Sequence, residues 1–143
     1  MFHSLLTGTV VISLTVTIHT FGLMLVTRFM SAIVSRFRMH GRRSRVLAMI
    51  TVVMGLFAII TAEVWLWAGF YRVLEVVPDF QTALYFSTVT FSTLGYGDVL
   101  PAYEWRLLAA LEAVNGFLLI GWSTAYLIAA GIRVGPFRIG EHF

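Results

Sequence analysis

Three stretches of this chain, roughly Leu5–Val26, Val46–Phe70 and Trp105–Ile132, stay apolar over lengths that cross a hydrocarbon core about 30 Å thick. No other feature restricts the fold as much. Lipid offers no hydrogen bonds, so a spanning segment must satisfy its backbone internally, and a helix does this within a single segment. Composition agrees: 59% of the 143 residues are hydrophobic, 12% are charged, and the mean hydropathy is +0.87, outside the soluble range. The absence of cysteine excludes a thiolate metal site, a cysteine nucleophile and a disulfide framework. Residues 1–143 are expected to form one all-α integral membrane unit.

The charges orient it. The ten basic residues are all arginine, and six of them lie between Arg28 and Arg45. They flank apolar spans instead of interleaving with aromatics, so no nucleic-acid partner is expected. A short loop this basic, 28–45, belongs on the cytoplasmic side. The N-terminus is then outside and the tail 133–143, with Arg133 and Arg138, is cytoplasmic, in a multi-pass protein of a plasma or inner cell membrane. Arg36, Arg38, Arg42, Arg43 and Arg45 are also candidate contacts for anionic lipid headgroups.

The first helix, 5–27, lacks a basic lead and a small-residue cleavage site and reads as retained. Thr9, Ser13, Thr17, Thr20 and Thr27 fall along one side of it, and Gly8, Thr15, His19 and Gly22 along another. In the second helix, 46–71, Ala48, Thr51, Gly55, Ala58 and Ala62 suggest a seam for close helix contact. Trp65, Trp67 and Tyr71 suggest an interfacial aromatic belt, with Glu63 just inside it.

A segment at 79–92, opened by Pro78 and Asp79, is too short to span: about 14 residues reach roughly 20 Å. Such a half-helix is tolerated at membrane depth only when surrounded by protein or water. It leads into Thr93-Leu94-Gly95-Tyr96-Gly97-Asp98. A dehydrated cation needs oxygen ligands, and backbone carbonyls supply them without a full charge. The carbonyls of so short a stretch face one side only if alternate residues accept unusual dihedrals, which Gly95 and Gly97 allow. The hydroxyls of Ser87, Thr88, Thr90, Ser92 and Thr93 lead up to it.

From Phe80 to Pro101, FQTALYFSTVTFSTLGYGDVLP resembles the pore loop of tetrameric potassium channels, in a bacterial-type arrangement with one loop per subunit and an extra N-terminal helix. The likeness covers roughly residues 46–133. It implies a K+ path along Thr93, Leu94, Gly95, Tyr96 and Gly97 in the filter 93–98, with K+ as permeant ion and no cofactor. It implies that Asp98 sits behind the mouth and is held by a donor at Tyr85. Leu94 stands where valine is usual, and Val89 where some members carry glutamate. One copy of the motif per chain implies a C4 homotetramer, since the ring needs four loops.

In the third spanning helix, 105–132, the resemblance places Leu118, Gly121, Trp122, Ala125 and Ala129 on or near the cavity. Gly116 and Gly121 are candidate hinges or packing positions. Glu112 and Asn115 are expected to hydrogen-bond the pore helix and support the filter, or else to be satisfied by helix hydroxyls. His19 is expected to be a neutral buried histidine bonded to a threonine, or a pH sensor. The outward-facing Arg72, Glu75, Asp79, Asp98, Glu104 and Arg106 make the mouth net acidic, which concentrates cations. The expected function is a passive, non-enzymatic potassium channel. A non-selective cation channel of the same fold and a non-conducting accessory subunit are the alternatives.

Overall fold

The computed structural model describes residues 2–36 and 42–134. Within them run α1 (Phe2–Arg36), α2 (Arg42–Val73), α3 (Phe80–Phe91) and α4 (Arg106–Val134), with a 3₁₀ turn at Tyr103–Trp105 leading into α4. Among the described residues, three spans are long and apolar enough to cross a membrane: His3–Ile33, Arg45–Val73 and Tyr103–Arg133, with mean hydropathies of 1.9, 2.2 and 1.5. The 12 residues of α3 reach only about 18 Å. Both α1 and α2 run past the apolar stretches that announce them. Arginine is a good helix former, so hydropathy marks the lipid-facing part of each helix rather than its ends.

α1 packs along α2 and α4 of its own chain, and α3 is held between α2 and α4. Between lipid-immersed helices apolar burial supplies no driving force, so close packing and hydrogen bonds must hold these contacts. Gly22 admits Ile59, and Gly55 admits Val26, whose Cγ2 would lie 2.5 Å from a Cβ built at residue 55. Leu23, Val26 and Met30 complete this region with Ala48, Val52, Leu56 and Ile59 of α2 and Ala130 of α4. A second cluster surrounds α3 and contains Trp67, Tyr71, Phe86, Phe91 and Leu108.

Two readings of α2 need correction. Trp65 is 54% exposed, but Trp67 and Tyr71 are fully buried and belong to the core, not to an interfacial belt. Of the small-residue seam, Ala48 and Gly55 do meet α1, while Ala58 and Ala62 are exposed in the single chain. A small residue on an outward face carries no penalty in lipid, so small residues alone do not mark the contact side.

The two stripes of α1 separate except at Thr27, which is half-buried and bonded to Tyr126 of α4. Thr9, Ser13, Thr17 and Thr20 are exposed, and each hydroxyl donates to the carbonyl four residues back, at 2.7–2.9 Å. Thr15 and His19 are fully buried toward α2 and α4. The lipid-contact expectation at Arg36, Arg38, Arg42 and Arg43, and the tail with Arg138, fall outside the described side chains; Arg45 is exposed.

Candidate functional site

The start of α3 is set locally. Asp79, in extended conformation, caps the helix: its Oδ1 accepts from Thr82 N at 2.9 Å and its Oδ2 from Thr82 Oγ1 at 2.7 Å. These bonds, the backbone one first, hold the exposed Asp79 carboxyl below its ordinary range.

Its end is equally specific. Thr93 N donates to Thr90 O at 2.9 Å and Leu94 N to Val89 O at 3.0 Å, with Thr93 at φ 60°. This is the paired closure that usually takes glycine at the left-handed position. A threonine there costs on the order of 1 kcal/mol. The strain continues a pattern, because φ is also positive at Gly95 (59°) and Gly97 (77°). Backbone that alternates in handedness turns successive N–H groups to one side and therefore successive carbonyls to the other. A Cβ added at either glycine would meet nothing within 4 Å. Both glycines are needed for conformation, not for space. Ser92 to Asp98 are all exposed in the single chain.

Behind this stretch, Tyr85 Oη donates to Asp98 Oδ2 at 2.6 Å. The hydroxyl holds the Asp98 carboxyl below its usual range, and the carboxylate in turn pushes the Tyr85 phenol up. The hydroxyls leading into the loop do not form one ladder. Thr88 and Ser92 return their protons to carbonyls of α3, at 2.7 Å each, while Ser87 turns the other way.

Ser87 faces Glu112. The carboxyl is completely buried between three helices, its Oε1 2.6 Å from Ser87 Oγ of α3 and its Oε2 accepting from Tyr71 Oη of α2, also at 2.6 Å. Ser87 Oγ is also 3.0 Å from Val64 O. One hydroxyl proton cannot serve both the carbonyl and the carboxyl. Every atom is satisfied if Glu112 carries a proton to Ser87 and Ser87 passes its own to Val64. A neutral acid behind the half-helix also avoids the cost of a buried charge. Asn115 takes no part: its Nδ2 donates to Thr15 Oγ1 of α1 at 2.9 Å. The expectation that it supports the loop fails because, one turn on from Glu112, its side chain has rotated from α3 toward α1.

A family model described as an ion channel matches residues 59–133, just over half of the sequence. The chain belongs to the ion channel family. It is a family of the pore-loop kind, and the match contains α3, the 93–98 stretch and Glu112, while α1 lies outside it. Neither a curated protein nor a solved structure matches the chain.

In this channel subunit Gly116 lies where α4 crosses the end of α3; a Cβ there would run into the backbone oxygen of Phe91. At Gly121 an added Cβ would meet nothing within 4 Å. Leu118, Ala125 and Ala129 are exposed on the α4 face turned away from the core. Trp122 is at the border of that face, its ring centroid 5.1 Å from that of His19. The structure also joins residues that sequence reasoning left apart. Tyr126 Oη bonds Thr27 Oγ1 at 2.8 Å, and His19 bonds Glu63, not a threonine. A buried carboxyl implies donors somewhere, which was the available signal for Ser87 and Tyr71. Tyr126 carried none.

Proposed function

We propose that the chain is one subunit of a potassium-selective channel in which four copies place Thr93, Leu94, Gly95, Tyr96 and Gly97 around a single conduction path. The observation that carries this reading is the positive φ at residues 93, 95 and 97, directly after a helix that stops short of spanning. That backbone favours a row of carbonyls able to replace the hydration shell of a cation without fixing it by a full charge. The C-terminal end of α3 points toward the same stretch and adds its negative dipole end.

Four-fold assembly is supported by what one chain leaves uncovered. A single loop gives each ion one side of its cage. Leu94 and Tyr96 are 56% and 68% exposed, and Phe117 and Leu118 of α4 are 68% and 63% exposed. Side chains this apolar at the loop and on one face of α4 fit a neighbouring copy and a shared cavity. Gly121 is the better hinge candidate of the two glycines, since Gly116 is occupied with packing against α3. A cytoplasmic position for the 37–41 end, with anionic headgroups beside it, is supported by the arginines in the sequence around it.

Reversal potentials of the purified protein in planar bilayers with opposed potassium and sodium gradients test the reading. A shift toward the potassium equilibrium potential is expected. Reversal near zero would mean a non-selective pore, and no flux with no four-fold particle would mean an accessory subunit.

A further inference from the structure

The family match leaves out α1, yet α1 meets the rest of the channel at a buried titratable pair that the filter does not use. His19 Nδ1 and Glu63 Oε1 are 2.9 Å apart, and neither side chain is accessible. The His19 ring also leans on Trp122, tilted by 41° at 5.1 Å between centroids. Thus α1, α2 and α4 converge on one pair. Among the described residues, its remaining polar atoms, His19 Nε2 and Glu63 Oε2, have no hydrogen-bond partner, and the same holds for Trp67 Nε1 and Ser123 Oγ. Trp67 is one turn beyond Glu63 on α2, and Ser123 adjoins Trp122.

Proton counting shows what the pair can do. With one dissociable proton between them, as imidazolium and carboxylate or as imidazole and carboxylic acid, the two groups are neutral overall and share a hydrogen bond. Removing that proton leaves a net negative charge in an apolar seat. Adding a second leaves an imidazolium beside a neutral acid, without the ionic attraction. Either change is disfavoured where no water compensates it. Of the other titratable groups on the helices packed here, Arg45, Arg72, Arg106 and Arg133 lie about 13 Å or more along their helices from Glu63 or Trp122, and the nearer ones are bonded elsewhere. Tyr71 and Glu112 hold each other, Tyr126 holds Thr27, and Tyr85 of α3 holds Asp98. Arg28 lies about 13 Å further along α1.

We propose that His19 and Glu63 form a proton-binding latch between α1 and the other two spanning helices, and that a second proton loosens α1 from Trp122 and shifts the pose of α4. The coupling to conduction rests on the reading that α4 lines the path. Trp122 follows Gly121, the α4 glycine with open space around its Cβ position, so a change at the latch reaches a segment with room to move.

The full-length channel in lipid tests this with two kinds of readout. Ring-nitrogen NMR recorded between about pH 5 and 8, with the His19 signal assigned by its loss in His19→Gln, is expected to show the pair take up its second proton, and that uptake should move or vanish in Glu63→Gln. Backbone hydrogen exchange of α1 should rise at the acid end in the parent protein and stay flat in Glu63→Gln. Open probability should change about five-fold or more across the same range and become flat in both variants. The proposal is overturned if His19 does not titrate, if it titrates identically in Glu63→Gln, or if both variants keep the parent pH response. Should a single variant fail to assemble, the His19→Gln, Glu63→Gln double variant retains a neutral hydrogen-bonded pair. It should conduct without pH dependence, and a retained response would overturn the latch. Loss of potassium selectivity with an intact titration would strike the potassium reading and leave the latch standing.

Discussion

Two acidic side chains are buried completely among the described residues, and they sit in opposite kinds of surroundings. Glu112, behind α3, has a partner for each oxygen: Ser87 at one, Tyr71 at the other, both at 2.6 Å. Glu63, facing α1, has His19 on one oxygen and, among the described residues, no hydrogen-bond partner on the other. A complete network holds its helices in one arrangement, while an incomplete one leaves a polar group whose protonation state remains open to change. The network behind α3 therefore fits the still support that the proposed filter needs, and the pair that joins α1 fits the proposed proton-responsive latch.

The largest effect is expected at Glu112. Glu112→Ala strands Tyr71 and Ser87 and opens a cavity, so the assembled channel should lose about 3 kcal/mol, read from its unfolding in detergent. Glu63→Ala removes a half-satisfied acid and should cost about 1 kcal/mol by the same measurement. Equal losses would erase the distinction. Glu112→Gln keeps a donor toward Ser87 and an acceptor for Tyr71, so it should retain most of the stability if the acid is neutral.

The glycines offer the next largest contrast. Gly116→Ala drives a methyl into the backbone of Phe91, which cannot turn aside, and should displace the α3 end and abolish selective current. Gly22→Ala meets only the Ile59 side chain, 2.6 Å away at its Cγ1, which can change rotamer. A cost near 1 kcal/mol with current retained is expected there.

A smaller effect tests the α1 seam away from its titratable pair. The Thr15→Ala, Asn115→Ala double-mutant cycle should return a coupling of about 0.6 kcal/mol, ordinary for a hydrogen bond between membrane helices. A coupling far larger would mean that α1 is held as rigidly as α3.

The smallest change is expected at the mouth. Because Tyr85 lowers the Asp98 pKa, the contact is intact above the ordinary carboxylate value near 3.9 and is lost only as pH falls through the lowered value. External acidification to about pH 5 should leave selectivity untouched. Tyr85→Phe should hasten the decline of current at any pH in that range. If acid reproduced the effect of Tyr85→Phe, the filter would be a second proton-responsive region and the contrast would fail.

Much of this was legible because the relevant signals are local. Asp79 announces the α3 start and the glycines announce positive φ, without reference to distant residues. The His19 stripe was visible as a stripe, but its partner was not. Trp67 and Tyr71 looked like an interfacial belt because aromatic residues near the end of a span suit either the interface or a core. Asn115 was assigned to the wrong neighbour because its spacing from Glu112 marks one side of α4 without saying which helix covers it.

Taken alone, the sequence determined that this chain crosses a membrane, that one helix stops short, and that Gly95 and Gly97 permit the positive φ angles found between Thr93 and Asp98. Each follows from hydropathy, length or intrinsic dihedral preference, which are properties of contiguous residues. Only the tertiary structure decided that Glu112 is fully bonded, that Gly116 is a crossing point, and that His19 pairs with Glu63. Helices that are apolar nearly all round carry little contrast between a face in lipid and a face in protein, so their packing is settled by the shape and hydrogen bonding of residues far apart in the chain.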